Sequence, residues 1–97
     1  MRTPESRAER LVLVDVREST DRAKGFPAGS RPVPLDELRA RLGELPPDMP
    51  IAFVCRSGRR SEMVADLAWE AGLEASSVSG GMEAWRTAGL ETDRSGA

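Results

Sequence analysis

Apolar residues run unbroken from Leu11 to Val14, and after Asp15 the run resumes at Val16. A strand with one wet face alternates; four consecutive apolar positions predict one buried on both faces, as in a parallel sheet. Ile51-Ala52-Phe53-Val54 predicts a second strand of the same kind. Between them, Arg17 to Pro34 holds Gly25, Pro27, Gly29, Pro32 and Pro34, which predicts a loop with room for a very short strand at Val33. Leu35, Leu38, Leu42 and Leu45 then recur at spacings of three, four and three, one helical stripe that stops at Pro46-Pro47.

After the second strand the period becomes helical again. A helix is predicted from about Ser61 to Gly72, with Met63, Val64, Leu67, Ala68 and Ala71 on one face. A third short strand is centred on Ala75 to Val78, Gly80-Gly81 makes a turn, and a last helix runs from Met82 to about Ala88 with Gly89 as its C-cap. At the start of the chain, Thr3 and Pro4 suit an N-cap and first helical position, predicting a short helix to about Arg10. Residues 91–97 are polar and are expected to form a flexible tail. Alternating strands and helices predict a small α/β fold, a mostly parallel sheet flanked by helices. Ligands of such sheets sit beyond the carboxyl ends of the strands, and Cys55 lies at one.

Composition narrows the chemistry. With 97 residues, 39% hydrophobic and 31% charged, the chain is expected to be one soluble domain with a modest core. No apolar run approaches the ~18 residues that span a bilayer. The first ten residues lack the apolar core of a signal peptide, so a cytoplasmic location is expected. A single cysteine excludes an internal disulfide and fits a reducing compartment. The absence of histidine excludes Ser-His-Asp and Cys-His catalysis within the chain and leaves only carboxylates beside one thiol for zinc, so no metal site is expected. A net charge of -2 gives no case for nucleic acid.

What remains is the segment Cys55-Arg56-Ser57-Gly58-Arg59-Arg60-Ser61, a thiol where a strand ends and a helix begins, with three arginines within five positions. Helix N-termini and nearby cations favour the thiolate, the reactive form. Successive N–H groups in a tight loop leading into a helix make an anion-binding nest. Gly58 allows the turn, Ser57 and Ser61 add hydroxyls, and Arg56, Arg59 and Arg60 add positive charge. Asp15 follows a buried strand, where an unpaired carboxylate is costly; it is expected to be hydrogen-bonded or ion-paired and, with Arg17, to hold a loop near the site. Trp69 and Trp85 are expected to pack rather than to line a pocket.

This segment resembles the C-R-x-G-x-R-[ST] active-site loop of the rhodanese family of sulfurtransferases. Val14-Asp15-Val16-Arg17-Glu18 resembles the family's D-V-R-E signature, and Gly80-Gly81 followed by Trp85 its closing G-G-x-x-x-W segment, in the family's order. The resemblance spans about residues 11 to 90 and implies a single small three-layer rhodanese-like domain. It implies that Cys55 is the nucleophile, taking sulfur from thiosulfate or a similar anionic donor as a persulfide. A thiol, cyanide or a sulfur-accepting protein would then receive it. The amides of residues 56 to 61 would cradle the outer sulfur, and no cofactor is implied. Phosphatases and arsenate reductases of the same fold use a longer C-x5-R loop; here Arg60 stands at C-x4-R and the next residue is Ser61. A non-catalytic or regulatory module of this fold is the alternative, though inactive members typically lose the cysteine. The family's G-H-I-P-G-A stretch is replaced by Gly25-Phe26-Pro27-Ala28-Gly29-Ser30-Arg31-Pro32-Val33-Pro34, without the histidine and with altered spacing, a change to a wall of the site that bears on the substrate but not on the nucleophile. The short stretch before the first helix leaves little room for a first edge strand.

Overall fold

A computed structural model describes residues 11–94. Four strands form the main sheet: β1 (Val12–Asp15), β3 (Arg31–Pro32), β4 (Ile51–Val54) and β5 (Ala75–Ser77). Their order is β3-β1-β4-β5, and every pairing is parallel. Helices α1 (Ser19–Arg22), α2 (Leu35–Arg41), α3 (Arg59–Glu70) and α4 (Gly81–Thr87) flank it, with a 3-10 turn over Leu42–Glu44 after α2. The expected α/β fold with a mostly parallel sheet is thus the one observed. The helix expected before Arg10 and the doubt about an edge strand lie outside the described residues.

β4 shows why the two apolar runs are unbroken. Successive side chains of a strand point to opposite faces. Ile51, Phe53 and Cys55 join one core with Val64, Ala65 and Ala68 of α3, while Ala52 and Val54, on the other face, are also buried. Ile51, Phe53 and Val54 are wholly shielded from solvent, each stabilising the fold by roughly 1.5–3 kcal/mol. β1 contributes Val12 and Val14 to the same core, joined by Val16 just beyond its end, and turns Asp15 to the opposite face.

Three local expectations are corrected. Arg17 to Pro34 is not all loop. α1 occupies one turn with no buried residue, so no apolar period announces it. The short strand expected at Val33 is β3, one residue earlier; Val33 still donates its N–H to Asp15 O at 3.0 Å. Second, α3 begins at Arg59, and its buried residues are Ser61, Val64, Ala65 and Ala68; Met63 and Ala71 are exposed. At 100° per residue, a helix that turns Ser61 inward carries Met63 about 200° round, toward solvent. Third, the chain after Leu90 does not fray at once. Thr92–Asp93 forms strand β6, antiparallel to β2 (Phe26–Pro27). Glu91 O accepts the Trp85 indole N–H at 2.8 Å and the Ala28 N–H at 3.1 Å. Trp85 is half-buried and Trp69 is largely exposed, so neither lines the core.

The Gly80-Gly81 turn presses α4 against the loop after β4. A Cβ on Gly81 would collide with Cys55 O, which only glycine avoids. The close approach lets the Met82 N–H donate to Cys55 O at 2.8 Å and the Glu83 N–H to Arg56 O at 3.2 Å. These are first-turn donors of a helix, which have no partner inside it.

Candidate active site

β4 delivers Cys55 to the carboxyl edge of the sheet, and the loop to α3 closes around its sulfur. Gly58 takes φ +99°, a region that L side chains rarely adopt. That turn aims the Gly58 N–H at Cys55 Sγ, 3.0 Å away. The Ser61 N–H, at the start of α3, reaches the same sulfur at 3.4 Å. The Ser61 hydroxyl stands 3.3 Å from it on another side. Cys55 is 3% exposed, so it meets solvent only through the cavity that it lines.

These contacts set its acidity. Burial pushes the thiol up, because charge is disfavoured away from water. The Ser61 hydroxyl and the N–H groups of Ser61, Gly58 and Arg60 outweigh burial and hold the thiol below its ordinary value. The loop therefore favours a thiolate with no histidine to deprotonate it. A ready nucleophile in an anion-friendly cradle is what this arrangement offers chemically.

The cavity of about 300 Å³ over Cys55 is lined by Val16, Arg17, Asp21, Arg56, Ser57, Arg59 and Arg60. All three loop arginines thus reach its wall, and all three are exposed. Arg56 is 87% exposed and sits 4.0 Å from Glu83, a contact at the limit of an ion pair. A larger groove of about 480 Å³ lies between α2 and α3, lined by Leu35, Met63 and Leu67 among others. It holds no nucleophile, and Arg60 is the one residue that it shares with the Cys55 cavity.

Asp15 is fully buried and ion-paired, as its position demanded. Its carboxylate accepts from the Arg17 side chain at 2.9 and 3.0 Å and from the Arg17 N–H at 3.0 Å. Arg22 adds a contact at 3.2 Å. Arg17 also donates to Gly25 O at 2.7 Å, and Arg22 to Ser30 O at 2.7 Å. Arg22 lies 3.8 Å over the Phe26 ring, a cation–π contact. One carboxylate thus ties residues 17 to 30 together, and through Arg17 it fixes a wall of the cavity.

Ser77 on β5 escaped the sequence reading. Its hydroxyl is 2.6 Å from that of Ser61, which also donates to Gly58 O at 3.1 Å. A serine in a short polar strand, sixteen residues from its partner, carries no motif. No group of metal-ligating side chains occurs among the described residues. No helix among them is long and apolar enough to cross a membrane.

Comparison with known proteins points the same way. The family model of the Rhodanese-like domain matches residues 4–88. The Bacillus subtilis (strain 168) protein named "Putative sulfurtransferase YtwF" is 35% identical over 77 residues, covering 79% of this chain and 75% of that one. A protein of Allochromatium vinosum named "Sulfurtransferase" is 30% identical over 83 residues, covering 84% of this chain and 78% of that one. Among solved structures, a rhodanese-related protein from Thermoplasma volcanium superposes with a TM-score of 0.84 at 29% identity, covering 89% of this chain and 86% of that one.

Proposed function

The chain belongs to the rhodanese-like domain family, and on that premise we propose that it is a sulfurtransferase that carries sulfur as a persulfide on Cys55. The observation that carries this reading is the cradle: two backbone N–H groups and a hydroxyl converge on Cys55 Sγ at 3.0 to 3.4 Å. Such donors stabilise negative charge on sulfur, whether a thiolate or the outer atom of a persulfide. In the first step the Cys55 thiolate attacks the outer sulfur of thiosulfate. The new S–S bond forms, the donor's S–S bond breaks, and sulfite leaves with the electron pair. Arg56, Arg59 and Arg60 around the cavity favour an anionic donor. In the second step a thiol or cyanide acceptor takes the outer sulfur and Cys55 returns to the thiolate. Ser57, Gly58 and Ser61 complete the binding loop, and Asp15 and Arg17 support it. The reaction needs no metal or cofactor, and a cytoplasmic setting keeps the thiol reduced.

Incubation with thiosulfate, followed by intact-mass measurement, tests the reading. The expected result is a gain of one sulfur, discharged by cyanide and absent in Cys55→Ser. No adduct at any donor concentration overturns it.

A further inference from the structure

The Cys55 cavity does not end at its own wall. A second cleft of about 250 Å³ adjoins it, lined by Arg17, Asp21, Lys24, Arg56, Met82 and Arg86; Arg17, Asp21 and Arg56 are common to both. The charges of this second cleft are unbalanced. Arg17 is matched by the buried Asp15. Arg56 has only its marginal contact with Glu83. Lys24 and Arg86 have no ion pair among the described residues. Against these three cations the cleft sets one carboxylate, Asp21. Arg86 is exposed, and its Nη2 lies 3.8 Å from where a Cβ on Gly25 would stand, beside the Gly25 carbonyl that receives Arg17.

None of these cationic groups is needed to ionise Cys55, whose donors all lie in its own loop. Thiosulfate is small enough for the Cys55 cavity alone. A cationic annex beside it suits a longer anionic reactant whose sulfur must reach the same atom. We propose that this cleft is the acceptor subsite, and that it takes the carboxylates of a small thiol while the thiol's sulfur enters the Cys55 cavity; the proposal rests on the persulfide reading above. The step is balanced. The acceptor, having lost its proton to water, attacks as thiolate, and its electron pair forms a bond to the outer sulfur of the Cys55 persulfide. The bond from that sulfur to Cys55 Sγ breaks, and its pair returns to Cys55. Two sulfur anions approach each other in this step, and carboxylates on the acceptor add to the repulsion. Lys24, Arg56 and Arg86 offset it for an acceptor that carries carboxylates.

Glutathione and its dimethyl ester share one thiol and differ in two carboxylate charges. The test compares them on the persulfidated protein, in the native chain and in a Lys24→Gln/Arg86→Gln double variant. Neither substituted residue lines the Cys55 cavity. The expected result is that the native protein discharges faster to glutathione than to the ester, and that the double variant loses about tenfold with glutathione and little with the ester. Sulfur uptake from thiosulfate should be unchanged. A second readout needs no sulfur chemistry: S-methylglutathione, which keeps both carboxylates and cannot accept sulfur, should slow iodoacetamide alkylation of Cys55 in the native chain and not in the variant. Equal discharge to acid and ester, or protection that survives both substitutions, overturns the subsite. If thiosulfate loads nothing yet protection is seen and is lost in the variant, the subsite stands as a carboxylate site and the persulfide reading falls.

Discussion

The hydroxyls of Ser61 and Ser77 lie 2.6 Å apart, and one of them also faces the sulfur of Cys55. Ser61 Oγ has three neighbours, Cys55 Sγ, Gly58 O and Ser77 Oγ, but a single proton to give. A carbonyl only accepts. When Cys55 is a thiolate, Ser61 serves it best by turning its proton to the sulfur while Ser77 supplies its own proton to Ser61 Oγ or to Gly58 O, 3.5 Å away. When Cys55 is a thiol, its S–H turns to Ser61 Oγ and the chain of donors reverses. Ser77 is thus placed to influence Cys55 only through Ser61.

Ser61→Ala should raise the midpoint of the pH profile for Cys55 alkylation. Ser77→Ala should move it in the same direction by less, and Ser77→Thr should restore it. At neutral pH the Ser61 change should slow alkylation on the order of tenfold, the effect of one lost hydrogen bond to a charged group. A Ser77→Ala profile that overlays the native one would remove Ser77 from this role.

The same depression of the Cys55 pKa links stability to pH. A group with a lowered folded pKa stabilises the fold above its unfolded value, ~8.5 for cysteine, and loses that contribution as pH falls through the folded value. Native stability relative to Cys55→Ser should therefore grow as pH rises toward that range. Urea denaturation of both proteins across pH measures it; parallel curves would contradict the lowered pKa of Cys55.

Neutralising Arg59 and Arg60 together should weaken use of thiosulfate several-fold more than use of an uncharged persulfide donor, because both line the cavity and both are exposed. Steady-state rates with the two donors, repeated at high salt, read this directly. Equal losses would mean that the pair only supports the helix start.

Asp15→Asn should cost about 3–5 kcal/mol, because it leaves Arg17 buried without its counter-charge. The Cys55 alkylation midpoint should stay in place, since Asp15 makes no bond to the sulfur. Thermal or urea unfolding gives the first quantity and the pH profile the second.

Gly81→Ala should destabilise by several kcal/mol and slow alkylation of Cys55 as well, because its Cβ would collide with Cys55 O. A variant that is less stable but has an unchanged thiol profile would separate the turn from the cradle.

Much of this was legible in the sequence where the physics is local. Unbroken apolar runs marked β1 and β4 because both faces of those strands are covered. The thiol, the glycine and the helix start marked the site because they adjoin in sequence. What was not legible depends on distant partners. The inward face of α3 carries Ser61, which reaches Cys55 and Ser77, together with Val64, Ala65 and Ala68, and this turns Met63 to solvent. α1, β2 and β6 are polar or very short, and their stability comes from Asp15, Arg22 and the carbonyl of Glu91 rather than from any period. The cleft of Lys24, Arg56 and Arg86 joins residues beside α1, on α4 and in the loop after β4, which no motif unites.

The outward carbonyls of Cys55 and Arg56, held by the N–H groups of Met82 and Glu83, have one more consequence. A peptide group points its N–H opposite to its C=O, so anchoring those oxygens on α4 orients the loop before any anion arrives. A synthetic heptapeptide of residues 55 to 61 should accordingly titrate as an ordinary thiol in water. The chemistry written in those seven letters is supported by a helix that begins twenty positions beyond the last of them.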